Sequence, residues 1–190
     1  MKNVLTFLVL LASTTAFAQQ KWNVDQSHST IGFSVAHLVV SEVEGRFTKF
    51  DGNIESVKPD FTDAKIGFTV DVNSINTDNE MRDKHLQGDD FFNAEKYPQM
   101  SFTSTSFKKI KGNQYSLEGN LTIRDVTKKV KFAVTYNGSL KTSKGSVAGF
   151  KASTTIDRTA FNLKWNKLTE AGGAMVGKDV TINLKLEFHQ

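Results

Sequence analysis

The chain's four histidines, His28, His37, His85 and His189, are the first residues to test for chemistry, because it has no cysteine. None stands at a helical i, i+4 spacing from a second ligand. The spacing therefore predicts neither an H-E-x-x-H centre nor a structural zinc site. No G-x-S-x-G, P-loop or G-x-G-x-x-G occurs. Ser27-His28-Ser29 sets hydroxyls beside an imidazole, but neighbours on a strand point to opposite faces and make no nucleophile–base pair. The carboxylates are scattered over turns and wet faces. These residue types predict no catalytic group, no resident metal and no cofactor.

Two polar residues break an otherwise apolar pattern. His37 falls in register with Ile31, Phe33 and Val35, and Arg158 with Phe150, Ala152, Thr154 and Ile156. A buried arginine calls for a carboxylate, and Asp83, Asp90 and Asp25 are the candidates. One reading of Arg158 is an ion pair pinning a segment to the fold; the other is a polar mouth that orients a ligand head group. His37 is either a satisfied wall histidine or a titrating group.

The elements that must position these residues are strands. Ile31, Phe33, Val35, His37 and Val39 alternate with polar residues, as do Ala64, Ile66, Phe68, Val70 and Val72. Leu117, Leu121 and Ile123 continue the pattern, then Val130, Phe132, Val134 and Tyr136, then Val180, Ile182, Leu184, Leu186 and Phe188. One apolar face per strand implies an antiparallel sheet with one wet side. Lys111-Gly112-Asn113, Asn137-Gly138-Ser139 and Lys144-Gly145-Ser146 are expected turns. About eight such strands with almost no helix predict an all-β, closed antiparallel barrel or a sandwich. A barrel of that size is filled by side chains or holds one small ligand.

The first eighteen residues form a different unit. Lys2 precedes an apolar run from Val4 to Ala12, and Ala16-Phe17-Ala18 has the small-x-small form that signal peptidase reads. Residues 1–18 are expected to be a cleaved signal peptide and 19–190 a single domain, exported to the periplasm or secreted beyond it. Without cysteine, no disulfide or lipidated cysteine is available. The formal net charge of +4 is mild. The lysines of FKKIKG (107–112) and TKKVKF (127–132) read as solvated strand faces, with transient contact to an anionic membrane surface as the alternative. No aromatic residues interleave on the lysine face, so nucleic acid is not an expected partner. Monomer and homodimer both stay open.

One stretch interrupts the strands: MRDKHLQGDDFFNAEKYPQMSF, residues 81–102. Thr77 and Glu80 have the form of a capping box and Gly88 of a C-cap, which predicts a helix over 78–87. Asp89 and Asp90 would cap a second turn carrying Phe91 and Phe92. A helix inserted into a barrel covers one end of it. The two phenylalanines then either lid a pocket or complete the core, and Arg82, Asp83 and Asp90 would tie the helix to the rim through Arg158.

Together these segments resemble the YceI-like family. VDQSHSTIGFSVAHL (24–38) is similar to its opening D-x-x-H-S pattern. Gly45-Arg46-Phe47 with Phe50-Asp51-Gly52, and Arg82-Asp83, Leu86, Asp90-Phe91-Phe92, Tyr97-Pro98 and Phe102, look like its next elements. Gly119 to Arg124 and Ile156 to Phe161 also match in kind. Asp125 and Asn162 stand where the family often has glycine. The resemblance implies a lipocalin-like barrel without catalytic activity that holds a long polyisoprenoid-type lipid, such as a polyprenyl chain or quinone tail. Carried over by position, the lining would be Phe33, Val35, Phe68, Val70, Phe102, Leu121, Phe132, Val134, Ile182, Leu184 and Leu186, with His37 and Arg158 as its polar members and Phe91 and Phe92 at the mouth. An enzyme acting on an apolar substrate through His37 or Arg158 is the alternative, and a filled, purely structural barrel is a third reading.

Overall fold

The computed structural model describes residues 19–38, 40–168 and 175–190. The expected signal peptide and Val39 lie outside them. Eleven strands form one sheet: β1 (Gln20–Val24), β2 (Thr30–His37), β3 (Ser41–Phe47), β4 (Phe50–Ser56), β5 (Lys65–Asp71), β6 (Ile75–Asn76), β7 (Gln99–Lys111), β8 (Gln114–Ile123), β9 (Val126–Thr142), β10 (Gly145–Asp157) and β11 (Val176–His189). The single helix of the described residues, α1 (Glu80–Gln87), stands between β6 and β7.

These eleven segments make eight staves. β2 and β1 pair with β3 and β4, and β3 and β4 pair in turn with β6 and β5. Each of these three staves is one strand broken by a short irregularity. The remaining staves follow in chain order, and β11 closes the ring by pairing with both β1 and β2. All pairings are antiparallel, and closure through β11 leaves only the two-residue β6 paired on one side.

The inward residues form one continuous core, including Trp22, Phe47, Phe102, Phe132, Phe150 and Phe188. One end is sealed by the loop 57–64. Its Phe61 is 2% exposed and meets Trp22, Tyr136 and Phe150 edge-on, with centroids 5.3–5.5 Å apart. This plug carries no periodic signal, because a single phenylalanine in a loop belongs to no strand pattern. At the opposite end lie α1, the β8–β9 turn and the segment 158–168.

Two local expectations are corrected. Asn137-Gly138-Ser139 is no turn. β9 runs straight through it, and Asn137 is the extra residue of a bulge between the Tyr136–Phe150 and Gly138–Gly149 pairs, with Gly138 at φ 108°. A bulge uses the same glycine signal as a turn but leaves the strand continuous. The helix start is also displaced. Asp78 takes left-handed backbone at φ 57°, so the cap falls to Asn79, whose side chain accepts from the Arg82 amide at 3.0 Å. The Thr77 hydroxyl instead donates to Asp83 at 2.6 Å and accepts from Arg82 Nε at 2.8 Å. Asp83, not Glu80, reaches back to the Thr77 amide, at 2.9 Å. Gly88 is the C-cap as expected, in extended backbone at φ −72°.

Candidate functional site

Between the Phe61 plug and the helical end lies an interior cavity of about 200 Å³. Inward positions of nearly every stave line it, and Arg158 is its only polar side chain among the described residues, since Ser101 borders it by backbone and is itself exposed. Phe33, Val35, Phe68, Val70, Phe102, Leu121, Phe132, Val134, Ile182, Leu184 and Leu186 all face it. So do Phe91, Phe92 and Arg158. The strand residues among them sit at alternate positions, which in a closed barrel point inward, whereas Phe91 and Phe92 enter from a turn.

His37 is the exception. It is half-buried at the last position of β2, opposite Val176, and does not line the cavity. The register between β2 and β11 is irregular from Val180 to Val176, so the wall ends with Val35 and His37 stands beyond it. Alternation could not show where the barrel stops.

Arg158 is 6% exposed, and among the described residues it has no carboxylate partner. Nε donates to Gly177 O at 2.8 Å, Nη1 to Leu163 O at 2.6 Å and Nη2 to Val176 O at 3.1 Å. Burial lowers its pKa below the ordinary guanidinium value, with the neighbouring Asp157 carboxylate opposing. The expected pairing with Asp83, Asp90 or Asp25 is therefore wrong: those groups bind Thr77, His85 and His28. Oriented carbonyl dipoles replace the counter-charge. Arg158 ties the segment after β10 to the start of β11 and leaves α1 alone.

Arg124 is the residue that holds the mouth, and the sequence motif gave no hint of that role. Its Nη1 donates to Phe91 O at 2.9 Å, Asp89 O at 3.2 Å and Asn162 O at 3.2 Å, and its guanidinium lies over Tyr97 at 5.5 Å. It occupies the first central position of the β8–β9 turn at φ 55°. Such backbone is unfavourable for arginine and persists where surrounding contacts over-determine it. The positive φ falls on Arg124 and not on Asp125, so aspartate is accommodated where the family often has glycine.

Residues 88–97 are a compact chain of turns, not the second helical turn expected after Asp89 and Asp90. Asn93, at φ 51°, organises them: its amide donates to Gly88 O and its carbonyl accepts from the Tyr97 amide, both at 2.8 Å. No residue of α1 is buried, so the helix stays wet and only half-buried Leu86 reaches the cavity. The two phenylalanines divide. Phe91 is 6% exposed and packs on Trp165 and His85, with centroids 5.4 and 5.1 Å away. Phe92 is half-buried and meets Phe47 edge-on at 6.0 Å across the cavity mouth.

The wall has one further regularity. Phe33 pairs with Gly45, and Phe68 with Gly52. A Cβ on Gly52 would lie 2.4–2.6 Å from carbons of the Phe68 ring, and one on Gly45 2.4–2.7 Å from those of Phe33, closer than any real contact. Each ring lies flat across the glycine of the next stave. A side chain at either glycine would push its ring towards the lumen.

Residues 22–188 match the YceI-like domain. A UPF0312 protein of Staphylococcus epidermidis is 39% identical over 170 residues, which are 88% of this chain and 96% of that one. The crystal structure of Burkholderia cenocepacia BcnA superposes with a TM-score of 0.74 at 27% identity, covering 86% of this chain and 98% of that one. A polyisoprenoid binding domain from Saccharophagus degradans shares the fold with a TM-score of 0.66 at 14% identity, over 88% and 97% of the two chains. With the match running from Trp22 to Phe188, through every stave of the barrel, the chain belongs to the YceI-like family.

Proposed function

We propose that the barrel is a non-catalytic carrier for an isoprenoid-type lipid, held in the interior with its tail against the wall. The observation that carries this reading is the lining: an interior cavity in which Arg158 is the only polar side chain among the described residues. Such a space stays dry and favours apolar guests over water. Burying one five-carbon prenyl unit is worth about 4 kcal/mol at roughly 0.8 per carbon. Association costs several kcal/mol, so two or three units suffice for useful affinity. The neighbour from Saccharophagus degradans supports the fold, and the choice of ligand class rests on family resemblance and on this chemistry.

Size restricts how the ligand fits. A cavity of about 150 Å³ takes the six carbons of benzene. By that measure the 200 Å³ here accommodates about eight carbons, between one and two prenyl units. A longer tail requires the interior to widen. Phe33 and Phe68 already lie flat over glycines, so widening falls to the mouth, where half-buried Phe92 and Leu86 are the movable side chains. Arg158, on the lining near that mouth, is the group suited to a head-group oxygen. Among the described residues His37 does not line the cavity, and no third polar side chain joins it to Arg158.

The reading includes export: residues 1–18 act as a cleaved signal peptide and the protein works in the periplasm. The deciding experiment is native mass spectrometry of the purified protein, with organic extraction of whatever it carries. A co-purified isoprenoid of several units supports the proposal; a protein that stays empty when offered such lipids rejects it.

A further inference from the structure

On the outer wall near the plugged end, the fold gathers two histidines and two carboxylates that the cavity does not use. Leu186 and Phe188 of β11 face the interior, which turns Glu187 and His189 outward. Asp25 and His28 come from the excursion between β1 and β2. There Thr30 pairs with Lys185 and Val24 with Phe188, so residues 25–29 bulge over 186–187.

The four side chains alternate around a ring. His28 Nδ1 lies 2.9 Å from Asp25 Oδ2 and 3.8 Å from Glu187 Oε1. His189 Nε2 lies 2.9 Å from Glu187 Oε1 and 3.4 Å from Asp25 Oδ2. A tetrahedral zinc ion with bonds of about 2.0–2.1 Å holds its ligand atoms about 3.3 Å apart. The four separations scatter around that edge length, and the ligand atoms of Asp25, His28 and Glu187 all lie within 4.8 Å of one another; closing His189 onto them completes the set.

The backbone fixes the set independently of any ion. The Asp25 amide donates to Glu187 O at 2.8 Å, and the Glu187 amide donates to Ser29 Oγ at 2.9 Å. Asp25 Oδ1 accepts from the Ser27 amide at 2.7 Å, which aims Oδ2 at both imidazoles. A carboxylate oriented through its second oxygen is the usual outer-shell support of a metal ligand.

We propose that Asp25, His28 and Glu187, with His189 beside the two carboxylates, bind a divalent first-row transition metal, with zinc the ion that imidazole and carboxylate ligands suit. Two imidazoles select against magnesium and calcium. The site spans the seam where β11 meets β1, the closure of the barrel. In a chain without cysteine it is a staple that a disulfide cannot supply. Hydrogen bonding to Asp25, then the charges of Asp25 and Glu187, raise the pKa of His28, so protons compete with the ion and binding weakens in acid.

The test uses tag-free, chelator-stripped protein titrated with zinc chloride at neutral pH. Calorimetry should give one ion per chain, and the melting temperature should rise with zinc but not with magnesium. Cobalt(II) should show the intense visible bands of a tetrahedral ion. The double variant His28→Gln with His189→Gln should bind zinc at least about tenfold more weakly and lose the thermal shift. His85→Gln removes the exposed His85–Asp90 pair at the mouth and should leave both unchanged. Absence of a zinc-dependent shift, or its survival in the double variant, overturns the proposal. Loss in the His85→Gln variant does so as well. The site shares no side chain with the cavity, so lipid retention is a separate readout.

Discussion

The Arg124 guanidinium donates to the backbone oxygen of Phe91 at 2.9 Å, and this bond crosses from the barrel wall to the segment that closes it. The same nitrogen also reaches Asp89 O and Asn162 O. Hydrogen bonds to a charged donor contribute roughly 1.5–3 kcal/mol each when buried. Arg124→Ala should therefore lower stability by about 2 kcal/mol. It should also speed the loss of bound lipid, measured as an off-rate to acceptor vesicles. A variant with unchanged off-rate would mean that the segment does not gate the cavity.

Phe91 and Phe92 should respond differently to truncation. Phe91, buried against Trp165, is a core residue, and Phe91→Ala should cost about 3–5 kcal/mol in the ligand-free protein. Half-buried Phe92 closes the mouth, and Phe92→Ala should cost less than half of that while raising the lipid off-rate. Melting temperature and off-rate measured on both variants separate the roles. Equal destabilisation by the two changes would contradict the division.

Gly52→Ala tests the wall. The added Cβ collides with the Phe68 ring and forces it towards the lumen. The variant should bind short isoprenoids more weakly, and Gly52→Ala with Phe68→Leu should recover binding because the smaller side chain clears the methyl. Titration with a fluorescent prenyl probe reads this directly. If the double variant binds no better than the single one, the ring is not the obstruction.

Acid should act on the plug. Asp63 accepts from Ser56 Oγ at 2.6 Å and from the Val57 and Lys58 amides, and its pKa is lowered to about 2, with the Ser56 bond the largest cause. A carboxylate depressed in the folded state stabilises above its unfolded value near 4 and loses that contribution as pH falls through the folded value. The advantage of wild type over Asp63→Asn should therefore shrink from about pH 5 to about pH 2, and solvent screening keeps it small. Denaturant midpoints across that range check it. A pH-independent difference would assign the effect to packing of the Phe61 loop.

Export makes a last prediction. Protein recovered from the periplasm should begin at Gln19 or within about two residues of it, following the small-x-small pattern that ends at Ala18. Full-length chain retained in the inner membrane would refute cleavage.

The barrel was legible in the sequence because its cause is local. Alternation such as Val180, Ile182, Leu184 and Leu186 fixes which face of a strand is apolar, and one apolar face on every strand calls for a barrel or a sandwich, between which the pairing of β11 with β1 decides. The lining from Phe33 to Leu186, carried over from the family resemblance, falls on these inward positions. Alternation says nothing about where a wall ends, so His37 was assigned to an interior it does not reach. Nor does it say which partner a lone charge finds. Arg158 is satisfied by the carbonyls of Leu163, Val176 and Gly177, which any residues could have supplied, and Arg124 holds the mouth through carbonyls that carry no side-chain signature. Phe61 seals the far end from a loop with no period at all. Spacing along the chain also argued against a metal centre, because Asp25 and His28 stand far in sequence from Glu187 and His189. Only the pairing of β11 with β1 brings them within bonding distance of one another, since contacts across a barrel seam are set by closure and not by separation along the chain.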